Sequence, residues 1–190
     1  MRGRRGPARG RGEATELAST DTDLEFDQDG ILVLMLWLAE HGVVATLSAA
    51  GEPSLMDELK WVFRAASGPS VTTDLRQSVA TEEATAGQCV RIALPLLKEA
   101  GLPIGGPSWA SRLKEEDCAE GTGVLVLDWL AEQGVSVFLK ADGERKTPGW
   151  TLIVRGGPLP DMLRFDGPEV GRCFQRMLLT LRGQCLAVPV

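Results

Sequence analysis

The chain has 190 residues, with 20 basic and 26 acidic side chains, a formal charge of −6 and 44% hydrophobic residues. That is ordinary for a globular protein of one or two small domains able to bury a sizeable core. Four scattered cysteines (Cys89, Cys118, Cys173, Cys185) without a Cys-x-x-Cys, and a single histidine, argue against a zinc site and against a secreted disulfide framework.

The first twelve residues, MRGRRGPARGRG, hold five arginines and no acid. Without them 15 basic residues face 26 acidic ones, a balance of −11, so the body repels phosphate backbones and specific nucleic-acid binding is not expected. Residues 13–28 are dense in acids (Glu13, Glu16, Asp21, Asp23, Glu25, Asp27). Residues 1–28 therefore read as a disordered Arg/Gly and acidic tail. No apolar stretch follows the arginines as in a secretory signal, and Ile31–Leu38 is far too short to span a bilayer. A cytoplasmic protein with free thiols and no membrane partner is expected.

From Asp29 the pattern becomes regular. Ile31–Glu40 predicts a buried helix, Gly42 its stop, and Val43–Ser48 a strand with large and small residues alternating. Trp61–Arg64 predicts a second strand, Val71–Arg76 a weaker third, and Thr81–Lys98 a closing helix that Pro95 should kink or shorten. Gly101–Gly121, rich in Gly, Pro and charge, reads as a linker.

The same succession then returns. Residues 129–144, WLAEQGVSVFLKADGE, match residues 37–52, WLAEHGVVATLSAAGE, at ten of sixteen positions. Gly123–Gln133 predicts a helix stopped by Gly134, followed by strands Val135–Lys140, Trp150–Arg155 and Met162–Phe165, and a closing helix over Pro168–Arg182. The expected fold is α+β: two tandem α-β-β-β-α repeats, 29–100 and 122–190, forming a pseudo-twofold pair of antiparallel sheets backed by helices. A unit of about 70 residues has a marginal core alone, and a shared face relieves this.

Period-two alternation sorts the strand residues. Val135, Val137, Leu139, Trp150, Leu152 and Val154 should meet the helices. Ser136, Phe138, Lys140, Thr151, Ile153 and Arg155 should lie on the other face, with Val44, Thr46, Ser48, Val62 and Arg64 from the first copy. Either the two sheets pack on each other through this face, or it stays open. If open, apolar Phe138 and Ile153 flanked by Lys140, Arg155 and Arg64 form a contact surface. These five are the candidate partner-binding residues.

The chemical motifs are thin. Asp27-Gln28-Asp29-Gly30 imitates half of a calcium loop, but the position of the closing bidentate acid is Leu36, and acids before a helix are stabilised by its dipole. His41 sits at a helix end and is matched by Gln133, which speaks against a base used by both copies. Cys89 and Cys173 occupy matching places in the closing helices and read as small buried packing residues. Trp37, Trp61, Trp129 and Trp150 recur in register and read as core or inter-unit contacts. No phosphate-cradling loop or hydrolase motif occurs, and no cofactor is implied. Double-stranded RNA-binding domains share the α-β-β-β-α order but place lysines at the second helix start, where this chain has Thr81-Glu82-Glu83-Ala84 and Gly167-Pro168-Glu169-Val170.

The stretch DLEFDQDGILVLMLWLAEHGV, with Ser54-Leu55-Met56-Asp57-Glu58-Leu59 after it, resembles an acyl carrier domain over about 40 residues. The resemblance implies a phosphopantetheine-bearing serine where this chain has Gln28 or Gly30, so a carrier-like or small-ligand module would have to work without that group. An unfamiliar small enzyme is the other alternative. The leading expectation is a non-enzymatic binding module, an adaptor, regulator or immunity-type inhibitor, whose acidic body favours a basic protein partner. A homodimer is the further assembly this reading admits.

Overall fold

A helix turns into a strand across two residues at His41-Gly42 and across three at Gln133-Gly134-Val135. Both glycines take a φ of +78°, which only glycine adopts without strain, and Gly42 N–H and Gly134 N–H reach back to the carbonyls of Ala39 and Ala131 at 3.1 and 3.0 Å. The computed structural model describes residues 28–50, 59–67, 78–102, 104 and 122–184. The expected tail, apart from Gln28, the expected strand Val71–Arg76 and most of the expected linker lie outside the described residues.

The elements are α1 (Gln28–Glu40), β1 (Val43–Ala49), β2 (Trp61–Ser67), β3 (Ser78–Glu83) and α2 (Ala86–Glu99), then α3 (Thr122–Glu132), β4 (Ser136–Asp142), β5 (Gly149–Arg155), β6 (Leu163–Gly167) and α4 (Val170–Gly183). The chain is therefore α+β, with four helices and six antiparallel strands among the described residues.

The strands form one sheet, in the order β3-β2-β1-β4-β5-β6. This corrects the expectation of two sheets. They neither pack face to face nor stand apart; they join edge to edge through β1 and β4, with Leu47 opposite Leu139, Ala45 opposite Ala141 and Ala49 opposite Val137. Joining edges satisfies backbone groups that two separate three-stranded sheets would each leave unpaired.

The helices pack on one face. α2 lies on β2 and β3, α1 on β1 and β4, α3 on β4, and α4 on β5 and β6, with α1 touching both α2 and α3. Their apolar sides meet the buried strand positions: Val43, Ala45, Leu47 and Ala49; Trp61, Phe63 and Ala65; Val137, Leu139 and Ala141; Trp150, Leu152 and Val154. Burying each large side chain in this layer contributes about 1.5–3 kcal/mol. Trp61 and Trp150 are among the largest fully buried groups, whereas Trp37 and Trp129 are only partly buried against the core.

The residues Thr81–Glu83, expected in the closing helix, are the end of β3. Val79 and Thr81 are buried and pair with Ala65 and Phe63, and tertiary pairing overrides their helix-compatible composition. α2 instead begins after Thr85, whose hydroxyl accepts from the Gln88 N–H at 3.2 Å. Pro95 does not end α2, which runs on to Glu99. Arg91 and Pro95 are both exposed, so water can reach the Arg91 carbonyl that the proline leaves unbonded.

Candidate functional site

Among the described residues no helix covers the second face of the sheet. Its side chains fall into rows set by the strand register. One row runs Glu82, Val62, Ser48, Phe138, Ile153, Arg164, and the next runs Ala80, Arg64, Thr46, Lys140, Thr151, Asp166. A third links Ser136 to Arg155 toward the end of the sheet.

Where β1 ends and β4 begins, the face dips into an open cavity of about 440 Å³ lined by Ser48, Ala49, Ala50, Ser136, Val137, Phe138, Ile153, Arg155 and Met162. Phe138 and Ile153 face each other across β4 and β5 and are half-buried. Arg155 is exposed, and Met162, just before β6, is 59% exposed. The cavity thus offers an apolar floor, two serine hydroxyls and one guanidinium.

Three of the five candidate residues, Phe138, Ile153 and Arg155, come together here, and two do not. Arg64 lies on β2, two strands from Lys140 along the neighbouring row, and lines no part of the cavity. Lys140 Nζ is held by the Asp142 carboxylate at 3.1 Å, and Arg145 Nε bonds the same oxygen at 3.0 Å. Burial alone would raise the Asp142 carboxyl, but the Lys140 bond, the Glu144 N–H and the two cations hold it below its ordinary value. Lys140 is thereby engaged within the fold, and the signal for this pairing was present in the sequence: Asp142 stands two residues on, on the same face. Among the described residues no ion pair involves Arg64 or Arg155.

A second polar knot closes the other flank. Asp166 accepts from Thr151 Oγ1 at 2.7 Å and from Arg164 Nε and Nη2 at 2.8 and 3.0 Å. The Arg164 bonds, then the Thr151 bond, pull the Asp166 carboxyl down to about 2. Arg164 is therefore paired, and among the described residues Arg155 is the one cation that lines the cavity.

Met162 and Ala50 are lining residues that sequence reasoning missed: Met162, expected to open the third strand of the second copy, stands just before β6, and Ala50 just past β1, so strand alternation assigned neither to this face. Ser48 and Ser136 were assigned to the correct face but could not be brought together before the β1–β4 pairing was known.

The other singled-out groups lie elsewhere. His41 is exposed at the end of α1, its Nδ1 2.7 Å from the Trp37 carbonyl and its ring 4.4 Å from that indole. Cys89 and Cys173 are buried, and desolvation raises both thiols. Cys89 Sγ donates to the Trp61 carbonyl at 3.0 Å. Within the stretch that resembles a carrier domain, Gln28–Glu40 is a helix and Val43–Ala49 a strand, and Ser54-Leu55-Met56-Asp57-Glu58 lies outside the described residues. Among the described residues no three His, Cys, Asp or Glu side chains gather to hold a metal, and no helix is long and apolar enough to cross a membrane.

Comparison with models of protein families, with curated proteins and with solved structures finds no match in any of the three.

Proposed function

We propose that this chain is a non-enzymatic binding module that holds another protein on the helix-free face of its sheet, as an adaptor, a regulator or an immunity-type inhibitor does. The observation carrying this reading is the half-buried Phe138–Ile153 pair beside Arg155 in the cavity at the β1–β4 seam. An apolar floor with one unneutralised cation at its rim suits a protein contact anchored by an apolar side chain next to an acceptor group. The acidic body as a whole draws a partner of basic overall charge at long range. Buried thiols at Cys89 and Cys173 are compatible with a cytoplasmic setting.

The architecture supports this use of the face. Our reading is that residues 29–100 and 122–190 are two copies of one α-β-β-β-α unit, joined by 101–121 and related by a pseudo-twofold axis at the Leu47–Leu139 pair. Those leucines hold the same place in the repeated string, and their neighbours pair reciprocally. On this reading the six-stranded platform exists only because the copies share an edge.

The test is affinity capture from native lysate at two salt concentrations, with wild-type chain, Phe138→Asp and Arg155→Glu side by side. Both variants should stay folded by circular dichroism and lose the captured partner. Equal capture by all three would remove this face from consideration. The cavity volume also lies within the range of small-ligand sites. Intact native mass spectrometry separates that second reading, since a resident small molecule would travel with the protein.

A further inference from the structure

We propose that the cavity at the β1–β4 seam binds the acidic segment Glu16–Asp23 of this same chain, which a partner must displace. The inference rests on reading that cavity as the binding face. Its first ground is position. α1 runs into β1 through His41-Gly42 and packs back along it, and its 13 residues span about 20 Å, close to the length of the seven-residue β1. The start of α1 therefore stands over the Ala49 end of β1, and Ser48, Ala49 and Ala50 at that end line the cavity. The chain preceding Gln28 joins the fold at the end of the sheet where the cavity opens.

The second ground is reach. Passing from the helix layer around the end of the sheet to its other face requires roughly 20 Å, given layers about 10 Å apart. The eleven residues from Leu17 to Gln28 extend to about 36 Å, so Leu17 and its neighbours reach the cavity with slack.

The third ground is chemistry. Arg155 is exposed beside the cavity without an ion pair among the described residues, while Lys140 and Arg164 are ion-paired with Asp142 and Asp166. Glu16, Asp21 and Asp23 carry the opposite charge, and Leu17-Ala18 supplies apolar groups for the Phe138–Ile153 floor. Tethering makes this contact intramolecular, at an effective concentration on the order of millimolar, so a few weak contacts suffice. A partner with a basic surface then has two handles: it competes for the segment's acids and takes the apolar floor.

The experiment uses the full chain with p-benzoylphenylalanine placed at Met162 and, separately, at Phe138, irradiated and then cleaved after glutamate. The expected product joins the labelled position to the peptide that follows Glu16 and ends at Glu25. Its yield should fall at least about five-fold in Arg155→Glu and in 1 M salt, where screening shortens electrostatic reach to a few ångströms. Mixing ¹⁵N-labelled with unlabelled chains distinguishes a second copy, since intermolecular products would carry mixed isotopes and overturn the proposal. Cross-links confined to residues 41–60, or none from either position, would overturn it as well. If the cross-link is absent but Phe138→Asp still loses the captured partner, only the segment as occupant falls; if capture is unchanged, the binding face itself falls.

Discussion

The indole N–H of Trp61, on β2, donates to the carboxylate of Asp128, on α3, and so ties a strand of the first half of the chain to a helix of the second. The bond favours the charged carboxylate, yet it is outweighed. Burial, and then Glu132 one turn along the helix, push the Asp128 carboxyl up to about 6. A folded-state value above the ordinary 3.8 means that the folded chain holds this proton more tightly than the unfolded chain. The resulting stability is fully present below pH 3.8 and is lost as pH rises through about 6. On a fully buried group such a shift is worth about 3 kcal/mol; partial exposure reduces it to about 1 kcal/mol. Asp128→Asn keeps an acceptor for Trp61 and removes the charge. It should raise stability in urea by about 1 kcal/mol at pH 7.5, and the gain should vanish by pH 4. A gain independent of pH would show that desolvation of the charge is not its source.

Asp166 makes the opposite case. Its carboxyl, held down to about 2 by Arg164 and Thr151, lends stability that is present above pH 3.8 and lost as pH falls toward 2. Arg164→Ala should therefore lower the urea midpoint at pH 6 and leave it unchanged near pH 2. Since Arg164 is solvent-exposed, the effect should also shrink in high salt.

Two glycines at turns should respond very differently to alanine. A Cβ at Gly143, between β4 and β5, would stand 2.6 Å from the carbonyl oxygens of both Ala39 and Val43, so the hairpin of the second half fits against the α1–β1 corner of the first with no space for a methyl group. Gly143→Ala must move backbone and should cost about 2–3 kcal/mol. At Gly42 a Cβ would meet nothing within 4 Å, and only its φ of +78° resists substitution. Gly42→Ala should cost about 1 kcal/mol. Equal costs at thermal or urea midpoints would mean that the close approach at Gly143 is relaxed in solution.

The helix–strand corners were legible because glycine stops and period-two alternation are local signals. Val135, Val137 and Leu139, and Trp150, Leu152 and Val154, are buried against the helices as that alternation requires. The β1–β4 seam was not legible. Pairing Leu47 with Leu139 is a choice between edges nearly a hundred residues apart, and no local pattern encodes which edge meets which. That one gap hid the cavity, since Ser48 and Ala49 come from one side of the seam and Ser136 and Phe138 from the other. Thr81–Glu83 was misread for a related reason: their composition suits a helix, and only pairing with β2 makes them a strand.

The thiols offer a check on the core. Cys89 and Cys173 are buried and desolvation raises both, so neither presents a thiolate at neutral pH. Peptide-resolved alkylation with iodoacetamide at pH 8 should leave both unmodified in the native chain and label both in 8 M urea. Fast native labelling of either would mean that its helix opens readily from the sheet.

Leu47 and Leu139 meet at the centre of the sheet, each fully buried, with helices α1 and α3 above β4. If the halves depend on this seam, neither is stable without it, because a three-stranded sheet with two helices buries too little surface alone. Leu139→Ala and Leu47→Ala should each cost about 3 kcal/mol. Because the two residues stand directly opposite across the seam, the double variant should differ from the sum of the singles by about 0.5 kcal/mol or more. Urea unfolding should remain one transition, seen at the same midpoint by the fluorescence of the buried tryptophans and by backbone circular dichroism. Two separated transitions, with Leu139→Ala moving only one of them, would show that each half folds without the other.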